Sequence, residues 1–170
     1  MSFTGLKSIT SELFKGLTNL EALNLSGNQL SFISPIIFKG LTNLEFLDLS
    51  SNQLTFISPT TFFGLTNLKY VYLFQNNLSC ISPMTFSGLT NLIMFDLCNN
   101  KLESIDAQVF TGLTELQIIY LFYNRITSIA PLTFKGLINQ MSHNQIALIE
   151  SKTFTLNIYF SFNYEYYYQS

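Results

Sequence analysis

The residues of this chain that could do chemistry are few and thinly spread. Asp48 and Asp96 are interleaved with tyrosines, and His143 is the single histidine among 170 residues. Acid–base catalysis needs a second titratable group within hydrogen-bond reach, and metal binding needs several convergent ligands. We expect neither aspartate to have a histidine, cysteine or lysine partner, and we interpret both, like His143, as surface groups. The sequence therefore predicts no enzyme, no cofactor and no metal site.

The composition excludes other classes of function. Charged residues make up 11% of the chain, the net charge is -2, and lysine and arginine are scattered singly. Such a chain offers no basic stripe to a nucleic-acid backbone, so we expect no nucleic-acid partner. No apolar run approaches the roughly 18 residues of a transmembrane segment. The first seven residues do not have the pattern of a secretory signal.

The elements that must position these residues follow from a 24-residue repeat. The repeating unit is L-x-x-L-x-L-x-x-N-x-L, and phenylalanine, glycine and proline keep the same step. Its asparagines are Asn28, Asn52, Asn76, Asn100 and Asn124. The phenylalanines are Phe14, Phe38, Phe62, Phe86, Phe110 and Phe134. A fixed period of this length indicates a solenoid in which each coil makes the same turns.

Each position of the repeat has a physical role. The Leu-x-Leu alternation predicts a short strand with its leucines inward, and successive coils would pair these strands in parallel. The asparagine can point inward and bond the backbone of the adjoining turns. Pairs such as Ser34-Pro35 predict the start of a short helical turn that a glycine such as Gly40 ends. The phenylalanines are expected to stack behind the strands and to widen the outer layer, which would put the sheet on the concave side.

This pattern resembles the typical class of leucine-rich repeats, found in Toll-like receptors, small proteoglycans and variable lymphocyte receptors. The motif L-x-x-L-x-L-x-x-N-x-L-x-x-L-P-x-x-x-F-x-x-L is visible from Leu44 to Leu65, with Ile57 and Ser58-Pro59 at its L-P site. The predicted fold is an α/β repeat solenoid: a curved, right-handed horseshoe segment with a concave parallel β-sheet and short helical or 3-10 turns on the convex side. Family members bind proteins, lipids, glycans and nucleic acids, so the resemblance specifies the fold far better than the ligand.

We expect one domain over residues 1–170. It consists of a half coil over 3–19, five full repeats starting near 20, 44, 68, 92 and 116, shortened coils over 136–163, and a divergent tail over 164–170. Neither end carries a cysteine-bearing cap, and an uncapped solenoid exposes core and strand edge. Self-association through the ends is therefore expected. Cys80 and Cys98 occupy different positions of the repeat and are expected to be free thiols.

The outward strand positions form the predicted binding surface. Aromatic side chains gather there over the third to fifth coils, with the two aspartates among them. The predicted ligand-binding residues are Phe46, Asp48, Tyr70, Tyr72, Met94, Asp96, Ile118, Tyr120 and Tyr123. Tyrosine-rich patches are typical of interaction hot spots. The alternative is that aromatics simply suit strands and cover one another.

The sequence thus predicts a non-catalytic module that binds a protein partner on its concave face, as part of a larger recognition or receptor protein. The alternatives are an intracellular scaffold or self-assembling repeat protein, and a truncated copy without independent function. The resemblance implies an extracellular location, whereas the first residues show no signal peptide. Asn24 and Asn77 each begin a glycosylation sequon, which matters only in a secretory compartment.

Overall fold

A parallel sheet built from the repeated strands forms one wall of the molecule. The computed structural model describes residues 5–127, 133, 146–150 and 156–161. The repeats contribute five three-residue strands: β1 (Ala22–Asn24), β2 (Phe46–Asp48), β3 (Tyr70–Tyr72), β4 (Met94–Asp96) and β5 (Ile118–Tyr120). Each strand pairs in parallel with the next, and residues 24 positions apart are direct partners. The predicted period is therefore the register of the sheet.

The strands take their form from the alternation of the sequence. The central residue of every strand is fully buried, whereas most of its neighbours are half-buried. Five further leucine or isoleucine positions per coil complete a continuous apolar core. No coil can bury its apolar side alone, so stacking of successive coils supplies the stability.

Inside the turns that follow the strands, the repeated asparagines form the predicted ladder. Asn76 accepts a hydrogen bond from the Leu54 amide at 3.0 Å and donates to the carbonyls of Leu49 and Leu73 at 3.0 and 3.1 Å. Equivalent bonds recur at Asn52, Asn100 and Asn124. One side chain thus satisfies buried backbone groups of its own coil and of the preceding coil.

The phenylalanine column stacks behind the sheet and gives the solenoid its curvature. Ring centroids of Phe14, Phe38, Phe62 and Phe86 follow one another at 6.3, 6.4 and 5.9 Å. Parallel strands lie only about 4.8 Å apart. Because the coils are spaced more widely at the rings than at the strands, the sheet lies on the concave side. At the fourth coil Phe95 of β4 packs between Phe86 and Phe110, at 4.9 and 5.8 Å, an insertion that the repeat pattern did not predict.

On the convex side the chain forms turns rather than helices. The Ile37 amide donates to the Ser34 carbonyl at 3.0 Å, the three-residue spacing of a turn, and Gly40 ends the segment at φ +90°. Too few residues separate serine from glycine to repay the nucleation of an α-helix. Of the serines predicted to cap helices, Ser82 accepts a bond from the Met84 amide at 3.3 Å, which closes a local turn. Among the described residues the single helix is a 3-10 turn, Ser11–Phe14.

A second ladder, which the repeat pattern did not predict, joins successive coils at an exposed segment. It uses the asparagine of the recurring Gly-Leu-Thr-Asn-Leu segment. Asn43, Asn67 and Asn91 donate to the carbonyls of Thr18, Thr42 and Thr66 at 2.8 to 3.0 Å. These bonds are exposed, so each contributes less than a bond of the buried ladder.

Beyond the fifth repeat the described strands depart from the repeat pattern. Strand β6 (Ile146–Glu150) pairs antiparallel with β7 (Leu156–Ser161), and β7 pairs antiparallel with β5, so that Tyr159 is the partner of Tyr120. This pairing differs from the parallel pairing of the five repeats, and the division of the chain into coils over 136–163 stays a prediction. The rest of the range, Phe134, His143 and the tail over 164–170 lie outside the described residues.

Candidate functional site

The outward-facing residues of β1 to β5 form a continuous surface, which we call the sheet face. Its first row is Ala22, Phe46, Tyr70, Met94 and Ile118. Its second row is Asn24, Asp48, Tyr72, Asp96 and Tyr120. The structure therefore brings eight of the nine predicted site residues into two adjoining rows. The ninth, Tyr123, lies just beyond the end of β5.

The aromatic residues of the sheet face partly cover one another. Phe46 and Tyr72 lie on neighbouring strands with ring centroids 5.3 Å apart and planes tilted by 44°. Tyr120 contacts Phe122 at 6.0 Å. All the predicted residues of the two rows are half-buried. Packing of the aromatic side chains against one another therefore explains part of their presence on the strands. Because they are only half-buried, the ring pairs still offer contact surface to a partner.

Both aspartates are held by the turns that follow their strands. Asp48 accepts hydrogen bonds through Oδ1 from the amide and the hydroxyl of Ser50, at 2.9 and 2.6 Å. Asp96 accepts through Oδ1 from the Cys98 amide at 2.8 Å. Asn24 makes the same pair of bonds with Ser26 in the first coil. These Asx turns fix each side chain on its strand end, so the two aspartates are surface groups with a defined position.

The expectation that the aspartates have no cysteine partner is wrong for Asp96. Burial raises the pKa of the Cys98 thiol to about 12, and a hydrogen bond from the thiol to Asp96 adds to the shift. The position of Cys98 in the repeat is that of Ser26 and Ser50, whose hydroxyls make the matching bond. A thiol with such a pKa is neither nucleophilic nor ready to bind metal at neutral pH. Both cysteines are free, as expected, and Cys80 is exposed.

Tyr72 lies between the two aspartates, and both affect the pKa of its hydroxyl group. Its strand partners in the second row are Asp48 on β2 and Asp96 on β4. Its pKa is raised, first by burial and then by the negative charges of the two carboxylates. The middle of the sheet face is therefore a region of negative potential around an aromatic ring.

The lysine that precedes β3 is paired with a glutamate outside the two rows. Lys69 precedes β3 and forms a 2.8 Å ion pair with Glu45, which raises the pKa of the lysine. Neither row of the sheet face contains lysine or arginine. The two central carboxylates thus have no cationic partner within the rows.

Tyr123 differs from the other site residues in exposure and backbone. Its side chain is 72% exposed, and its φ of +56° lies in the left-handed region that bulky side chains rarely adopt. The same position holds Gly27 in the first coil and Ser51, Gln75 and Asn99 in the next three, all at positive φ. The structure thus places an exposed aromatic where glycine would relieve backbone strain.

Other kinds of site find no support in the part of the chain that the structure describes. No group of three histidine, cysteine, aspartate or glutamate residues there could hold a metal ion. Within the same ranges, no helix is long and apolar enough to cross a bilayer.

The geometry defines a class of protein: a leucine-rich-repeat solenoid with an exposed, aromatic and acidic sheet face. A family model described as leucine rich repeat matches three overlapping segments, residues 1–54, 47–97 and 90–146. The chain belongs to the leucine-rich repeat family. None of the proteins of curated function matches the sequence significantly.

Solved structures of leucine-rich-repeat receptors resemble the chain closely. A TLR13–ssRNA13 complex matches with a TM-score of 0.76 and 30% identity over 81% of this chain and 20% of that chain. The Toll–Spatzle complex, a molecular hub in Drosophila development and innate immunity, matches with a TM-score of 0.71 and 30% identity over 82% of this chain and 18% of that chain. A leucine-rich-repeat protein of Leptospira interrogans matches with a TM-score of 0.68 and 27% identity over 78% of this chain and 33% of that chain. The chain spans a fifth to a third of the length of these proteins.

Proposed function

We propose that this chain is a non-catalytic recognition module that binds a protein partner through its sheet face. The observation that carries the proposal is the convergence of eight predicted residues in two adjoining rows of one parallel sheet. The backbone beneath them is fixed by strand pairing and by the asparagine ladder. A surface held in this way loses little conformational entropy on binding.

A protein partner suits this surface better than nucleic acid. The TLR13–ssRNA13 complex is a precedent for binding of a nucleic acid by a related solenoid. In this chain, however, Asp48 and Asp96 carry the charge of the two rows and would repel phosphate groups. The Toll–Spatzle complex is a precedent for a protein ligand in the same fold.

The proposal concerns a module of a longer receptor-like architecture. The related receptors extend well beyond the length of this chain, and repeat proteins build large binding surfaces by adding coils. The scaffold alternative shares the fold and differs in its surface of contact, which would be the ends of the solenoid rather than the sheet face.

Binding by the sheet face is tested with aromatic substitutions on it and off it. An array of purified secreted proteins and ectodomains is probed with the fluorescent wild-type chain, and each interaction is then measured by interferometry. The variant Tyr72→Ala/Tyr123→Gly should lower the affinity for a true partner by about tenfold or more, since tyrosines are frequent hot spots of binding. Gly27 shows that glycine suits the backbone at position 123.

The matched control is Phe63→Ala, because Phe63 is an aromatic residue 81% exposed on the convex turns. It should leave affinity unchanged, and the thermal midpoints of both variants should stay close to that of the wild type. Partners that bind the double variant as well as the wild type, or that are lost with Phe63→Ala, would show that the sheet face is not the site.

A further inference from the structure

The centre of the sheet face combines an aromatic pair with two fixed carboxylates. Tyr72 stands between Asp48 and Asp96 in the second row, and its ring packs against Phe46 at 5.3 Å. By strand spacing the aspartates are roughly 10 Å apart, with the tyrosine between them. The first-row partners of β3 are Phe46 and Met94 on either side of Tyr70, so the surroundings are apolar.

We infer that this centre, the Asp48–Tyr72–Asp96 triplet with Phe46, is a subsite for a cationic side chain, an arginine above all, of a protein partner. The inference rests on the proposed function, since it names the chemistry that the same face would recognise. A guanidinium group can lie on an aromatic ring and donate to a carboxylate at the same time. An anionic or purely apolar segment would leave the two charges unpaired on binding.

Preorganisation favours this reading over that of two incidental surface charges. Each carboxylate is held by a turn through Oδ1, at 2.9 Å from the Ser50 amide and 2.8 Å from the Cys98 amide. Side chains already fixed lose little rotamer freedom when a cation arrives. The raised pKa of Tyr72 agrees, because burial and both carboxylates disfavour a further negative charge at that point.

The chain itself supplies the conservative substitution for a test. Asn24 makes in the first coil the bonds that Asp48 makes in the second, at 2.8 Å to the amide and 2.6 Å to the hydroxyl of Ser26. Asp48→Asn/Asp96→Asn therefore removes two charges and keeps both turns. Glu103→Gln/Glu115→Gln makes the same change of net charge at exposed residues outside the two rows.

The probe is a fluorescent octapeptide of alternating glycine and arginine, compared with the same peptide carrying citrulline, the neutral isostere of arginine. Affinities are measured by fluorescence anisotropy at low ionic strength. The arginine peptide should bind wild type and the glutamine control alike, at least about tenfold more tightly than it binds the asparagine variant. The citrulline peptide should bind all three proteins weakly.

Substitution of the ring separates an aromatic contribution from charge alone. Tyr72→Phe keeps the ring and should retain binding of the arginine peptide, whereas Tyr72→Leu should weaken it severalfold. Circular dichroism and thermal midpoints check that all variants are folded. Equal affinity of wild type and asparagine variant for the arginine peptide, or equal loss in the glutamine control, would overturn the inference. The array experiment with Tyr72→Ala/Tyr123→Gly would still decide the proposed function, because it does not depend on a cationic partner.

Discussion

At the scale of the residue, the same position of the repeat does different work in different coils. The residue that ends each strand closes the following turn as asparagine or aspartate in the first, second and fourth coils. Tyr72 and Tyr120 replace it in the third and fifth coils, each followed two positions later by a phenylalanine. From the second coil to the fifth, polar turn closure therefore alternates with half-buried aromatic surface. Two tyrosine coils flank the coil of Asp96 as a result.

A second residue position on the convex side carries unsatisfied hydroxyl groups. Thr61 and Thr85 are buried, and their Oγ1 atoms have no hydrogen-bond partner among the described residues. The equivalent positions in the first and fourth coils hold the apolar Ile37 and Val109, both buried. Because valine has nearly the shape of threonine, the site accepts it without repacking.

We predict that Thr61→Val and Thr85→Val each stabilise the protein by about 1 kcal/mol, since each removes a buried hydroxyl that lacks a partner. The measurement is the free energy of unfolding from urea titration. The control is Thr66→Val at an exposed position, which should change stability by less than about 0.5 kcal/mol. A loss of stability in both buried variants would mean that these hydroxyls have bonds.

At the scale of the element, two ladders of asparagines join the coils with unequal strength. The buried ladder serves several backbone groups per side chain, as Asn76 does with Leu49, Leu54 and Leu73. The exposed ladder makes one bond per step, as Asn67 does with Thr42 at 2.9 Å. When an exposed hydrogen bond is lost, water replaces the missing partner at little cost in free energy. A buried group that loses its partner cannot reach water and stays without a hydrogen bond.

Asn76→Ala should therefore lower the free energy of unfolding by roughly 2 kcal/mol, because it leaves the buried Leu54 amide without a partner. The carbonyls of Leu49 and Leu73 each lose one of two donors and keep the other, from Asn52 and Asn100. Asn67→Ala should lower it by roughly 0.5 to 1 kcal/mol. Both are measured by urea unfolding at equilibrium. Similar losses in the two variants would refute the difference in role that we assign to the ladders.

At the scale of the whole molecule, the described sheet ends in strands that pair on one side. Strand β1 is bonded to β2 alone, and β6 to β7 alone. The antiparallel β6–β7 hairpin lies against β5 and covers that side of the repeats. Strand edges of this kind are templates for pairing with another chain.

We predict that the 170-residue chain on its own self-associates at micromolar concentration, through the edge of β1. Size exclusion with light scattering should give a mass that rises above 19.4 kDa with concentration. Ala22→Lys should reduce the rise, since an edge lysine disfavours strand pairing, whereas Thr42→Lys, exposed away from that edge, should not. A constant mass of one chain at all concentrations would count against the prediction.

Much of the fold could be predicted from the sequence, because the period of the repeat sets the geometry of every coil. The 24-residue step predicted the parallel register, the buried asparagines and the outward rows, including the rows that bring Asp48, Tyr72 and Asp96 together. Each of these follows from local alternation and from coils that are nearly identical, so one coil is enough to infer the next. The resemblance to leucine-rich repeats, and with it the fold, rests on the same columns.

Tertiary structure alone decided the features that depend on contacts between unlike coils. Phe95 enters the phenylalanine stack because a ring at a strand centre reaches the layer behind it, which depends on packing in three dimensions. Cys98 bonds Asp96, and burial raises the pKa of its thiol, an effect of surroundings that composition does not contain. The antiparallel pairing of β7 with β5 and β6 also differs from the repeat, and the parallel pairing of one coil with the next does not specify it.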